Sequence, residues 1–319
     1  MTAVETNATP STKPAHGLWA RLGAEFVGSL FICFAIYIMS TFGTLFFSVN
    51  LAYLALGAGV VYAAVTAIFG KISGGQFNPA VTVAAMLTSK TKVLEGFGYI
   101  VAQVLGAICA GGLLSFMLPT ADAVPSSQWY MLAVNGFDQG SLSYMYLNQY
   151  GMTYGIAMAI IIELIASAIV VAAALQSMKG DGSPTRSHTV TMGLAYAAAT
   201  AMAFPVTNGA VNPIRATGIA IFAQGKGLEV EPLAQLWVFW VSSILAAALV
   251  ALVIIVAQLL ASNKDEGETS DVAEAAMLED GMDGRDVPDG NETLMAVEYS
   301  DGSSHSVVEQ EDADVEHQE

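Results

Sequence analysis

Six long stretches without charged side chains dominate this sequence of 319 residues. Each is close to the about 20 apolar residues with which an α-helix crosses a lipid bilayer. With 54% hydrophobic and 12% charged residues, the chain is also too apolar for an ordinary soluble domain. We therefore predict an all-α membrane protein with six transmembrane helices, an even number that leaves both termini on one side. The approximate spans are residues 19–40, 51–69, 97–118, 152–176, 189–206 and 233–260.

The net charge of −17 comes almost entirely from one end of the chain. Residues 263–319 contain 19 acidic and 2 basic residues, whereas residues 1–262 contain nine of each. The membrane-spanning part therefore lacks the basic face that nucleic acids require. The two cysteines, Cys33 and Cys109, both lie in apolar stretches and exclude a disulfide framework or a cysteine zinc site. We expect neither a metal nor a cofactor.

Basic residues indicate the orientation, because Lys and Arg are retained on the cytoplasmic side of a membrane. Nine of the eleven lie in the N-terminal arm, in the second-to-third and fourth-to-fifth connections, and in the tail. The opposite side has only Arg215 and Lys226. We predict a multi-pass protein of the plasma membrane with both termini in the cytoplasm.

The two ends of the chain differ in composition from the membrane domain, which we assign to residues 19–260. Residues 1–18 are polar and carry no signal-peptide cleavage pattern, which predicts a cytoplasmic arm. Residues 261–319 have few large apolar side chains to offset the entropy of ordering, which predicts a disordered acidic tail. A solvated extension is favoured here over a regulatory or partner-docking segment.

The membrane domain contains a weak internal repeat, with halves at about residues 19–118 and 152–260. In each half a glutamate in the first span precedes an Asn-Pro motif, by 53 and 49 residues. Three spans in each half invert the second half relative to the first, so the two motifs approach from opposite membrane faces. The repeated residues are Glu25 with Asn78-Pro79-Ala80, and Glu163 with Asn212-Pro213-Ile214.

Each Asn-Pro motif is typical of a helix start, with Asn as the N-cap and Pro as the first helical residue. The apolar run after each motif has about ten residues, which is half the length of a span. Irregular backbone at membrane depth is tolerated only where it is buried in protein or lines a water-filled path. Two half-helices that meet near the midplane therefore indicate a pore or a binding site there.

Three segments resemble signature motifs of the major intrinsic protein (aquaporin) family: residues 72–82, residues 205–215, and Ala24-Glu25-Phe26-Val27-Gly28 in the first span. The resemblance extends over about residues 20–260. It implies an aquaporin-like fold of six transmembrane helices and two re-entrant half-helices. It also implies a homotetramer in the lipid bilayer with one pore for each subunit, conducting water and small neutral solutes.

The resemblance also gives roles to the repeated polar residues. Asn78 and Asn212 offer side-chain N–H donors to a passing oxygen, while the positive ends of both half-helices repel cations and protons. Arg215 adds a fixed charge at the outer mouth, in preference to an interfacial snorkelling role. Glu25 and Glu163 brace the re-entrant loops by accepting backbone N–H groups, in preference to acting as proton relays.

Selectivity is expected at a constriction beside Arg215, where the family pattern places Ala58, Thr200 and Gly209. Water-specific members of the family resemble one another in a different set of constriction residues, which includes a bulky aromatic residue and a histidine. Glycerol facilitators have two aromatic residues and an Asp after the Arg, where this chain has Ala216. We therefore predict an unusually wide filter that passes water together with glycerol, urea or undissociated metalloid acids.

A water-selective channel is the alternative, if neighbouring parts of the chain refill the filter. The side chains of Met202 or Phe204, or a folded connection at 119–150, are the candidates for this.

Two departures from the family pattern lie in the loops. Ile214 replaces the expected Ala, and we expect it to repack against the spans and leave Asn212 in place. Gln76 stands where His is common. His188 is expected to be an exposed loop residue, although it could provide a pH-sensitive group on the cytoplasmic side.

Other classes of protein fit the sequence less well. An ion-coupled secondary transporter also uses inverted repeats and broken helices, but no intramembrane cationic partner for the two glutamates is evident. A structural junction protein is a more remote alternative. An enzyme is not expected, because there is no nucleotide loop, nucleophile–base pair or metal-ligand cluster in the sequence.

Overall fold

The computed structural model describes residues 16–47 and 50–280, with side chains up to Ser262. Within these residues the chain is helical and contains no β-strand. The chain divides into two units, Met1–Asn263 and Lys264–Glu319, and the membrane domain belongs to the first. The helices are α1 (Leu18–Ile38), α2 (Thr44–Phe47), α3 (Leu51–Ser73), α4 (Pro79–Leu87), α5 (Val93–Met117), α6 (Ser126–Ala133), α7 (Leu142–Leu147), α8 (Ile156–Ser177), α9 (His188–Thr207), α10 (Pro213–Ala223) and α11 (Pro232–Asp280).

The described residues include six helical segments long and apolar enough to cross a membrane, as the sequence predicts. The first joins α1 to α2 through a single π-helical turn at Met39–Gly43, which makes a segment of 30 residues. The other five are α3, α5, α8, α9 and the part of α11 up to Ser262. Their outward faces carry large apolar side chains, such as Leu56 and Phe116, which suits contact with lipid acyl chains.

Helix α11 continues to Asp280, so residues 261–280 are helical where the composition predicts disorder. This stretch contains four alanines, a methionine and several glutamates, which are good helix formers and extend a helix that has already begun. The rest of the tail, for which disorder is predicted, lies outside the described residues, as does the arm at residues 1–15.

Helices α4 and α10 are short because each begins in the middle of the domain at an Asn-Pro motif. They have 9 and 11 residues, which corresponds to about 14–17 Å, or half of a bilayer core. The spans pack closely around them where small residues face one another. At the crossing of α3 and α9, a Cβ on Gly59 would clash with the carbonyl oxygen of Gly193, so only glycine allows this approach.

The long connection at residues 119–150 is folded over one end of the domain, through α6 and α7. Asn135 Nδ2 donates to the carbonyl oxygens of Thr207 and Asn208, both at 3.0 Å. Asn208 Nδ2 donates in return to the carbonyl oxygens of Leu132 and Val134, at 3.0 and 2.9 Å. The connection therefore fixes the end of α9, directly before the second Asn-Pro motif.

Candidate functional site

The N-termini of the two half-helices meet in the interior of the domain. Asn78 caps α4 by accepting the N–H of Ala80 at 2.9 Å, and Asn212 caps α10 by accepting the N–H of Ile214 at 3.3 Å. Pro79 and Pro213 are the first residues of these helices, and both asparagines are buried. Each Asn-Pro motif thus starts a helix and also aims its side-chain amide toward the opposite half.

Each asparagine amide holds the loop of the other half. Asn78 Nδ2 donates to the carbonyl oxygen of Val211 at 3.1 Å, and Asn212 Nδ2 donates to that of Phe77 at 2.8 Å. Phe77 and Val211 directly precede the asparagines and have φ angles of 45° and 53°. Left-handed backbone is unfavourable for such side chains, so both loops are conformations that their surroundings must hold in place.

Glu25 holds the first loop with both carboxylate oxygens. Oε1 accepts the hydroxyl of Ser73 at 2.6 Å and the N–H of Gln76 at 3.1 Å. Oε2 accepts the N–H of Phe77 and the side-chain amide of Gln103, both at 2.7 Å. Four donors therefore converge on one fully buried carboxylate from α1. The carboxylate pairs buried N–H groups that would otherwise have no acceptor.

Glu163 from α8 has the equivalent position in the second half. Its Oε1 accepts the hydroxyl of Thr207 and the N–H of Ala210, the latter at 2.9 Å, and its Oε2 accepts the N–H of Val211 at 2.7 Å. The carboxylate is fully buried. Each strained residue before an asparagine thus has its N–H bound by a glutamate and its carbonyl oxygen bound by the asparagine of the other half.

A narrow cavity opens on one side of this centre; its volume of about 10 Å³ has room for about one water molecule, and it is partly open to solvent. All four residues expected at the constriction line it, which are Ala58 from α3, Thr200 from α9, Gly209 and Arg215. The structure thus brings these four together. The other lining residues are Ile36, Met39, Ser40, Leu54, Tyr62, Tyr196, Phe204, Ala210 and Val211.

Arg215 is almost fully buried at this cavity, on the first turn of α10. Its Nη1 donates to the carbonyl oxygens of Asn208 and Gly209, the former at 2.8 Å. Its own carbonyl oxygen accepts the hydroxyl of Tyr37 at 2.5 Å. The guanidinium is therefore held by loop carbonyl groups and leaves further N–H donors for a solute in the cavity.

Two tyrosines outside the sequence-predicted site complete it. Tyr62 and Tyr196 line the cavity, and their hydroxyl groups accept the amides of Asn212 and Asn78 at 2.9 and 3.0 Å. Their spacing could have identified them, because each lies sixteen residues before the asparagine of its own half.

Ile214 and Ala80, the last residues of the two Asn-Pro motifs, are both fully buried and do not line this cavity. Ile214 packs in a cluster with Cys33 and Tyr37 of α1 and Ala107 of α5. The larger side chain is accommodated between spans, which is the repacking that the sequence suggests.

The expectation that His188 is an exposed loop residue is wrong. Helix α9 begins at His188, whose side chain is fully buried and whose Nδ1 lies 2.7 Å from the hydroxyl of Ser177 at the end of α8. Gln76 is also buried, and its Nε2 donates to the hydroxyl of Thr91 at 2.7 Å. Both residues therefore hold the connections between helices at this end of the domain.

Comparisons with known proteins identify the family and the fold of the chain. The model of the family described as major intrinsic protein matches residues 13–254. Aquaporin Z of Brucella melitensis is 31% identical over 235 residues, which are 73% of this chain and 95% of that protein. The structure of the aquaglyceroporin from Plasmodium falciparum superposes with a TM-score of 0.58 at 18% identity, over 74% of this chain and 93% of that chain. The structural likeness shows that the two chains share a fold.

Proposed function

This chain belongs to the major intrinsic protein family, whose members are membrane channels and not enzymes. From this premise we propose that its selectivity filter, the constriction beside Arg215, is wide. In this proposal the channel passes water together with larger neutral solutes, such as glycerol, urea or undissociated metalloid acids. Transport is passive and follows the concentration gradient of the solute.

One observation carries the proposal, namely the small side chains that meet Arg215 at the cavity. Ala58 contributes a methyl group, Gly209 contributes no side chain, and Thr200 contributes a hydroxyl. A solute with several hydroxyl or carbonyl oxygens could approach the guanidinium there without meeting an aromatic ring at those three positions. Pore width and the donors that line it decide which neutral solutes pass.

The same elements support the exclusion of ions. The half-helices α4 and α10 point their positive ends toward the centre, where both asparagines are buried. Arg215 adds a full positive charge beside the cavity. A cation would have to lose its hydration shell next to these charges, whereas a neutral solute only exchanges hydrogen bonds.

Water selectivity is the second candidate, and a specific observation favours it. Phe204, Met39 and Leu54 also line the cavity, and these large side chains reduce the space beside Arg215. The protein that is 31% identical to this chain is an aquaporin by name.

Stopped-flow light scattering on proteoliposomes of the full-length protein separates these candidates. We expect water, glycerol and urea to cross faster than in protein-free vesicles. Water flux without uptake of any larger solute would establish the water-selective alternative. Accumulation against a gradient that collapses with an uncoupler would indicate an ion-coupled transporter.

We also propose a homotetramer in the plasma membrane with both termini in the cytoplasm. The distribution of basic residues supports the orientation. Leu194 of α9 and Val60 of α3 are among the exposed apolar side chains that lipid or a second subunit would cover. Protease protection of tagged termini tests the orientation, and native mass spectrometry tests the tetramer.

A further inference from the structure

Tyr62 of α3 and Tyr196 of α9 stack face to face in the middle of the domain. Their ring centroids are 3.2 Å apart and their planes differ by 6°. Both side chains are buried, with 2% and 1% exposure. Because α3 belongs to the first half and α9 to the second, the stacked pair bridges the two halves of the inverted repeat.

The pair lies between the cavity and the two asparagines. Both tyrosines line the cavity, whereas neither Asn78 nor Asn212 is among its lining residues. The hydroxyl of Tyr196 accepts the amide of Asn78, and the hydroxyl of Tyr62 accepts the amide of Asn212. A solute that moves from Arg215 toward the asparagines therefore meets the tyrosines first.

A count of donors shows what the hydroxyl groups do. A side-chain amide has two N–H donors. In both asparagines one donor binds a carbonyl oxygen of the opposite loop and the other binds a tyrosine hydroxyl. The tyrosine oxygens thus accept the donors that a passing solute oxygen would need, so these donors are all used while the rings are stacked.

We propose that Tyr62 and Tyr196 determine the specificity of the channel at a second constriction, below the one at Arg215. The inference rests on the proposed function, because it concerns the same conduction path. A solute passes when the rings separate and its own hydroxyl or carbonyl oxygens replace the tyrosine oxygens at the asparagine amides. Neutral solutes with such oxygens satisfy the amides, whereas apolar solutes of the same size leave them unpaired.

The symmetry of the arrangement supports this role. Each tyrosine lies sixteen residues before the asparagine of its own half, yet accepts from the asparagine of the other half. The two hydroxyl groups therefore serve equivalent donors from opposite directions. Each hydroxyl accepts one N–H, and in both cases the donor is a pore asparagine, so together the tyrosines occupy one donor of each asparagine.

The test is the permeability of proteoliposomes that contain Tyr62→Val, Tyr196→Val or both substitutions. We expect glycerol and urea permeability to rise in each single variant and to rise further in the double variant. Loss of two hydrogen bonds from the barrier corresponds to roughly a tenfold increase. Tyr53→Val is the matched control, because Tyr53 lies on the same helix α3 with an exposed side chain, and we expect it to match the wild type.

A double variant of Tyr62→Phe and Tyr196→Phe keeps the rings and removes only the hydroxyl groups. We expect its water permeability to exceed that of the wild type, because separating the rings no longer breaks two bonds to the asparagines. This variant decides the question if the valine variants do not fold. An apolar solute of the size of glycerol should remain slower than glycerol in the wild type.

Unchanged water and glycerol permeability in the tyrosine variants, at equal amounts of folded protein, would overturn the inference. The wild type then distinguishes the two proposals. If it conducts glycerol while the variants do not differ from it, the proposed function stands and the second constriction fails. If the wild type passes no larger solute while the valine variants do, the tyrosine constriction stands and the wide filter fails.

Discussion

Asn212 donates its side-chain amide to the carbonyl oxygen of Phe77 at 2.8 Å, so the second half of the repeat holds the first. The N–H of Phe77 is bound by Glu25 at 2.7 Å. The N–H and the carbonyl oxygen of Phe77 are thus both paired, although the φ angle of this residue, 45°, is unfavourable. Such strain costs about 1–3 kcal/mol and persists only where the surroundings impose it. The two loops therefore form one hydrogen-bonded unit.

We expect Glu25→Gln to lower the stability of the whole domain. A glutamine has one acceptor oxygen, so two of the four donors around Glu25 would face an N–H₂ group. Each buried donor left unpaired costs about 1–3 kcal/mol. The midpoint of thermal unfolding in detergent, followed by intrinsic fluorescence, should fall clearly below that of the wild type.

Glu229→Gln is the matched control, because Glu229 is exposed and lies between α10 and α11. We expect its unfolding midpoint to equal that of the wild type. Equal midpoints for the Glu25 and Glu229 variants would contradict the bracing role of the buried carboxylate.

We expect Ala58→Phe to shift the channel toward water. Ala58 lines the cavity together with Arg215, and in the proposed wide filter an aromatic ring there would take up the space that larger solutes need. Misfit of this kind in a defined pocket costs about 1–3 kcal/mol, or tenfold and more in rate. Glycerol and urea permeability in proteoliposomes should fall by at least about tenfold, and water permeability by much less.

Leu56→Phe provides the comparison for this substitution. Leu56 lies on the same helix with 65% of its side chain exposed on the outer face, so the added volume meets lipid. Its permeabilities should match the wild type. A parallel loss of water and glycerol flux in the Ala58 variant would indicate a blocked pore instead of a narrower filter.

The sequence predicts the transmembrane helices well because length and charge decide them. The second span, predicted at 51–69, is Leu51–Ser73, and the fifth, predicted at 189–206, is His188–Thr207. A helix must remain free of charge over the thickness of the bilayer, and charged or turn-forming residues mark its ends. The half-helices are equally visible, because Asn-Pro is both a cap and a helix start.

Side-chain environments inside the domain were less predictable. The spans are apolar on all sides, so periodicity does not indicate which face of α3 or α9 is turned to the pore, and only their equal spacing from the asparagines distinguishes Tyr62 and Tyr196 from ordinary membrane residues. His188 stands next to a polar connection in sequence, yet its contact with Ser177 requires the packing of α8 on α9. Such long-range contacts are set by the tertiary fold.

We expect Arg215→Ala to increase the leak of protons and cations. The substitution removes the buried positive charge at the cavity and leaves the carbonyl oxygen of Gly209 without the Arg215 donor, whereas that of Asn208 keeps its bond from Asn135. Exposed carbonyl oxygens favour cations, so the loss of the positive charge and the change in the lining both raise the cation permeability. Quenching of a pH-sensitive dye trapped in proteoliposomes measures the leak.

Two further variants separate the causes. Arg215→Lys keeps the charge but lacks the planar fork, so we expect a low cation leak together with an altered ratio of glycerol to water permeability. Arg186→Ala removes an exposed charge in the connection before α9 and should behave as the wild type. A proton leak in the Ala variant that equals the wild type would place the charge barrier elsewhere.

We expect Ile214→Ala to lower stability without changing selectivity. Ile214 is fully buried beside Cys33, Tyr37 and Ala107, so its truncation leaves a cavity between spans and costs about 2–5 kcal/mol. The side chain does not line the cavity at Arg215, so the ratio of glycerol to water permeability should stay constant while the unfolding midpoint falls. Ile221→Ala, on the same half-helix but 41% exposed, should lower the midpoint much less. A changed permeability ratio in the Ile214 variant would mean that this residue positions Asn212, since the N–H of Ile214 donates to the Asn212 side chain at the start of α10.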